Sequence, residues 1–211
     1  MSQLSKTTAA ACSRQTCEGC AIEGQLLCIH TPADLADFLF PAIGVFIPFF
    51  AGMLICKFWV GLGVWIGLAV VFFGYVEALV LCRHCPHYAE EGFVLKCHAN
   101  SGLPKIPKFD PRPLSRWEQW IWLGYVAVLL LYYIPFFVIS EQWLLLVLTS
   151  WASLTAGWTI WRTQCNRCYN LSCPVNHVPE EVQSQFFENY PAFSRAWDRQ
   201  PPNTSGSWSK V

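Results

Sequence analysis

Four stretches of the chain, residues 36–56, 59–81, 119–139 and 143–163, carry few or no charged side chains. Each is close to the ~20 residues that an α-helix needs to cross about 30 Å of hydrocarbon. Little more than Lys57 separates the first two, and Ser140, Glu141 and Gln142 separate the last two, so the pattern predicts two tight helical hairpins. The expected fold is an all-α integral membrane protein with four transmembrane helices. Residues 36–81 form its first hairpin and 119–163 its second. An even number of crossings leaves the N-terminal segment 1–35, the loop 82–118 and the tail 164–211 on one side of the bilayer.

Local signals refine these boundaries. Thr31-Pro32-Ala33-Asp34 reads as an N-cap with proline at the first helical position, so the first helix should open just after His30. Ser115-Arg116-Trp117-Glu118 reads as a capping box opening the third helix. Asp34 and Asp37 are then acids near a helix N-terminus, which the helix dipole favours. Pro41, Pro48 and Pro135 lie within spans, where they can kink helices. Pro104, Pro107, Pro111 and Pro113 should hold part of the loop extended. In the tail, Val182, Phe186, Phe187 and Tyr190 fall on one side of a helix before Pro191, facing either the membrane surface or the Cys-rich region. From Gln200 onward the sequence reads as disordered.

Composition agrees with a membrane solvent. Of 211 residues, 54% are hydrophobic and only 13% charged, against about 25% charged in soluble domains. Fourteen Lys and Arg balance fourteen Asp and Glu, so the chain lacks the basic excess of a nucleic-acid binder. Thirteen of the fourteen basic residues lie in the three same-side segments or at Arg162 on their boundary, and Lys57 alone lies opposite. The positive-inside rule therefore predicts a cytoplasmic location for that face and for both termini. Residues 1–35 contain no continuous apolar run of the signal-peptide kind, which leaves targeting to the first span. Trp59 and Trp143 near the tips, and Trp117, Trp120, Trp158 and Trp161 near the opposite boundary, fit interfacial belts. Glu77, about one turn before Cys82, reads most simply as a headgroup-level residue within reach of water.

The distribution of cysteine carries the chemistry. Ten of eleven cysteines and all five histidines fall on the assigned cytoplasmic face. Each segment there holds a C-x2-C pair, a third Cys and then a His. The sets are Cys17, Cys20, Cys28 and His30; Cys82, Cys85, Cys97 and His98; and Cys165, Cys168, Cys173 and His177. Two thiolates two residues apart can grip one ion from a tight turn, and a later Cys and His complete the tetrahedron that structural zinc prefers. Cys12 is an extra donor in the first set. In the second, adjacent Cys97 and His98 cannot easily face one ion together, so His84 or His87 is an alternative. The sets need not be separate sites, since helix insertion gathers all three segments on one platform. Cys56, alone near the far side, reads as a small buried hydrophobe. A reducing cytoplasm disfavours disulfides, and no βαβ pattern supports a thioredoxin-like pair.

The third set, C-x2-C-x4-C-x3-H, resembles a zinc knuckle with one Cys/His position changed. Cys85-Pro86 and Cys173-Pro174 instead echo the Cys-Pro that ends bacterial ferredoxin motifs, so iron-sulfur clusters compete with zinc. Two hairpins with cytoplasmic Cys-Pro elements resemble membrane electron-transfer proteins of the NapH and NosR type. The sequence has C-x2-C-P where those carry C-x3-C-P, and it lacks their eight-cysteine ferredoxin module. No hydrolase, metalloprotease, phosphate-loop or dinucleotide motif is present, and no intramembrane His offers a haem ligand.

The leading expectation is a non-catalytic membrane protein whose cap holds two or three zinc ions and docks a protein partner on the cytoplasmic face. Because the cap has few apolar runs, metal would supply its folding energy. An iron-sulfur electron-transfer subunit exchanging electrons with quinone is the alternative. A soft-metal transporter is a third reading, with only Glu77 and Cys56 as ligands within the spans.

Overall fold

The structure, a computed structural model, describes residues 12–13, 17–29 and 31–198. His30, a ligand candidate, and the segment from Gln200 lie outside the described residues. The described chain is helical, with no strand. Four helices are long and apolar enough to cross a membrane: α1 (Pro32–Ile55), α2 (Trp59–His84), α3 (Arg116–Ile139) and α4 (Trp143–Cys165). Two short helices, α5 (Glu180–Asn189) and α6 (Pro191–Ala196), follow in the tail.

Short-range chemistry fixes both ends of these helices. At α1 the Asp34 N–H donates to Thr31 Oγ1 at 3.3 Å and the Thr31 N–H donates to Asp34 Oδ2 at 3.0 Å, a reciprocal capping box. Ser115 and Glu118 make the same exchange at α3. The far ends of α1 and α3 stop in one motif used twice. The Phe58 N–H reaches back to the Met53 carbonyl and the Gln142 N–H to that of Phe137, with Lys57 and Glu141 at φ 58° and 55°. These are Schellman turns whose left-handed position is filled by a charged residue rather than glycine.

Pro41 and Pro48 lie inside a continuous α1. Regular α geometry in α3 breaks at Tyr132, beside Pro135, whose missing N–H leaves the Leu131 carbonyl unserved. Two π-helical turns, Phe72–Val76 in α2 and Trp161–Cys165 at the end of α4, have no signal in the sequence pattern. Both lie on the stretches leading to cysteines.

α1 packs along α4, while α3 packs against both α2 and α4. Between them lies an aromatic core of Phe49, Met53, Trp65, Phe72, Leu129, Tyr133 and Phe137. Phe137 seats its ring flush on Gly52, and Phe136 does so on Gly61, where no side chain would fit. Two polar side chains close the core with hydrogen bonds to backbone: Trp65 Nε1–H donates to the Leu129 carbonyl at 3.0 Å, and Tyr132 Oη–H to that of Gly61 at 3.0 Å. The outer faces are apolar, with Phe40 and Val60 each 82% exposed, a surface that calls for lipid contact. Trp59 and Trp143 are exposed at one end of the bundle, and Trp117, Trp120 and Trp158 at the other.

Glu77 departs from the headgroup reading. It is only 6% exposed and accepts a hydrogen bond from Trp122 Nε1 at 3.2 Å, so it belongs to the bundle interior. The segments flanking the helices also differ from expectation, because they build a hydrophobic core of their own. Ile22, Leu26, Tyr169, Val182, Phe186, Phe187, Tyr190 and Phe193 are all buried there. The aromatic face of α5 turns inward onto the Cys-rich region rather than outward to the membrane surface. Burial of these rings gives the cap cohesion that does not depend on metal.

Candidate metal centre

Three hydrogen bonds between residues one or two positions from cysteines bring the distant segments together. The Leu27 N–H donates to the Arg167 carbonyl at 2.9 Å, linking the residues beside Cys28 and Cys168. His87 Nε2–H donates to the Leu27 carbonyl at 3.0 Å, and Asn170 Nδ2–H to the Leu81 carbonyl at 3.2 Å. All eleven cysteines are free thiols. Cys56 stands apart, and the other ten fall into two groups. Cys28 lies in the field of Cys12, Cys17 and Cys20, so the first set gathers around it with Cys12 included. Cys85 and Cys97 both lie in the field of Cys168, which makes the second and third sets one continuous group of six.

A local turn aims a backbone amide at one of these sulfurs, since Cys97 accepts from the Asn100 N–H at 3.1 Å. Asn100 also extends Nδ2–H to Cys82 Sγ at 3.4 Å, so one residue serves two thiols. Amides directed at sulfur stabilise a thiolate once it forms, whether it is bound to zinc or to iron.

Burial favours the neutral thiol at these sulfurs. Burial pushes Cys97 up to about 11 and Cys173 up to about 12, and raises Cys85 and Cys168 as well. Cys28 is raised to about 12 by burial, with the neighbouring thiols adding to the shift and a hydrogen bond from Tyr190 opposing it. A cation that displaces the protons would convert this unfavourable burial into coordination. Among the described residues, no three Cys, His, Asp or Glu side chains are yet grouped as a metal shell.

The histidines divide by role. Both nitrogens of His84 are engaged: Nδ1–H donates to the Asp110 carbonyl at 2.9 Å, and Nε2 accepts from Arg83 Nε at 3.1 Å. His87 is likewise held between the Leu27 carbonyl and Glu90 Oε1, 3.2 Å from its Nδ1. These two rings serve as structural clamps. His98 packs edge-on against Phe38 of α1. His177 stacks on Trp161 with ring centroids 4.4 Å apart, and its backbone N–H reaches the Cys165 carbonyl. Its buried Nδ1 has no hydrogen-bond partner. That backbone hydrogen bond joins the chain at His177 to the chain at Cys165.

Sequence reasoning missed the residue that holds two of the thiols. Asn100 follows a cysteine by three positions, a C-x2-N spacing that was open to reading. Glu118, read only as a cap, also accepts from Arg83 Nη2 at 2.8 Å and from Arg112 Nη2 at 2.7 Å. It thereby ties the cysteine-bearing end of α2 to the start of α3. Comparison with known proteins finds no match: no family model, no curated protein and no solved structure aligns significantly with the chain.

Proposed function

We propose a multi-pass membrane protein of two helical hairpins whose Cys-rich cap faces the cytoplasm and binds metal through thiolates. Zinc is the leading ion, and the cap is a docking or assembly element for a protein partner. The observation that carries this reading is Asn100, whose N–H donates to Cys97 Sγ at 3.1 Å and whose Nδ2–H donates to Cys82 Sγ at 3.4 Å. Buried thiols that merely filled space would have no use for a residue that donates to two of them. The concentration of basic residues on the cap side supports the cytoplasmic assignment.

Electron transfer through an iron-sulfur cluster is the second reading, favoured by one observation. With His84 and His87 consumed by structural hydrogen bonds, the six-thiol group is nearly all sulfur, the donor set such clusters use. Metal analysis of anaerobically purified protein with an absorption spectrum separates the two. Colourless protein with about two or three zinc ions per chain supports the first reading. Stoichiometric iron with acid-labile sulfide and a dithionite-bleached band replaces it with the second. Less than one metal per chain removes both.

A further inference from the structure

A cavity of about 540 Å³ lies between α1 and α4 and is separate from the cysteine groups. Asp37, Phe40 and Gly44 line it from α1, and Ala156, Thr163 and Gln164 from α4. Because α1 begins and α4 ends at the cap, the cavity is polar at that edge and apolar toward mid-bundle. Gln164 is only 6% exposed, and its Oε1 has no hydrogen-bond partner. An amide oxygen buried in that way is unfavourable unless a donor reaches it. Thr163 cannot serve, since its hydroxyl donates to the Thr159 carbonyl at 2.8 Å.

Charge narrows the occupant. The lining contains a carboxylate and no Lys or Arg. The nearest basic residue in sequence, Arg162, has its guanidinium over the Trp158 ring at 5.7 Å. A phosphate or carboxylate head would meet Asp37 with no cation to offset it, whereas an uncharged hydroxyl can donate to Gln164 Oε1. We propose that this cavity binds a neutral membrane lipid whose head donates a hydroxyl hydrogen bond to Gln164, its tail running past Phe40 and Gly44 into the bilayer. Quinols and diacylglycerols share that chemistry. The site stands whichever metal the cap holds.

Photoreactive diacylglycerol and quinol probes, applied to the full chain in phosphatidylcholine nanodiscs, test the proposal. At least one should label α1 and α4 at the cavity and be displaced by its own unlabelled parent, diacylglycerol or decylubiquinol, which identifies the source. Gly44→Phe should lower labelling at least tenfold without disturbing the fold, because a side chain there meets open space. Gln164→Leu should lower it about as much by removing the acceptor. Absence of labelling by both probes, labelling unchanged in the two variants, or equal displacement by phosphatidylethanolamine or phosphatidylglycerol would each overturn it.

Discussion

Glu118→Gln isolates the linkage between bundle and cap with almost no change of shape. The carboxylate is buried and acceptor-only. Oε1 takes Arg83 Nη2 at 2.8 Å and Arg112 Nη2 at 2.7 Å, while Oε2 takes Arg112 Nη1, the Ser115 N–H and the Ser115 hydroxyl, all at 2.8 Å. Whichever oxygen becomes NH2, it confronts two N–H donors that cannot turn away, the Ser115 hydroxyl being free to accept instead, so at least two hydrogen bonds are lost in either rotamer. Hydrogen bonds to charged groups contribute about 1.5–3 kcal/mol each, a gross loss of ~3–6 kcal/mol. The side chains of Arg83 and Arg112 are 23% and 40% exposed, so water recovers part of that. A net destabilisation of about 2–3 kcal/mol is expected. Reversible unfolding in mixed micelles, followed by tryptophan fluorescence, measures it. Arg112→Lys keeps the charge but loses the fork and should cost about 1 kcal/mol. A Glu118→Gln change within ~0.5 kcal/mol of wild type would show that the carboxylate is solvated and that the network does not hold the two parts together.

Gly52→Ala places a methyl group 2.7 Å from Phe137 Cε1, against a fully buried ring. It should destabilise by about 1–3 kcal/mol in the same assay, whereas Gly67→Ala, with nothing nearby, should not. Lys57→Gly and Glu141→Gly relieve a left-handed backbone at φ 58° and 55°. Each should stabilise by about 0.5–1 kcal/mol after the glycine's greater unfolded-state entropy is counted; a loss of stability would mean that the charged side chain is needed at the tip. Zinc loading of a site drawing on Cys97, Cys168 and Cys173 should release about one proton per thiolate, because burial holds each thiol above its ordinary range. Affinity should then rise about tenfold per pH unit for each proton released, read with a pH indicator in weak buffer, and zinc binding without proton release would contradict the neutral-thiol state.

The four long helices were legible because a chain of this size has no core large enough to bury four apolar runs of bilayer length, which leaves lipid as their solvent. The Thr31 N-cap and the Ser115–Glu118 capping box were legible because both are local, while the reciprocal bond from the Thr31 N–H to Asp34 came from the structure. Burial of Glu77 was not. A carboxylate one turn from the end of an apolar run reads as interfacial until Trp122, 45 residues away, is seen to donate to it. The cap core escaped notice for a related reason. Its rings come singly from remote places, Tyr169 beside a cysteine and Phe193 in a six-residue helix, so no periodic stripe announces them. Cysteine spacing conveyed three sets and left open whether they combine. Only tertiary hydrogen bonds such as Asn170 to Leu81 bring the second and third sets together.

That merging changes what a metal could do. If each segment closed on its own ion, the cap would be three independent knots, and loss of one would leave the others intact. With Cys85 and Cys97 beside Cys168, any ion bridging them spans the end of α2 and the end of α4. The aromatic core and the Arg83–Glu118–Arg112 network already fix those ends approximately, so the ordering cost of coordination falls on side chains rather than on chain segments. Chelation is then expected to loosen the relative position of α2 and α4 rather than unfold the cap outright. The two outcomes differ in hydrogen exchange: global cap unfolding would expose amides of α5, whose Phe186 is only 1% exposed, whereas local loosening would expose those of Asn100, Asn170 and Asn176 alone.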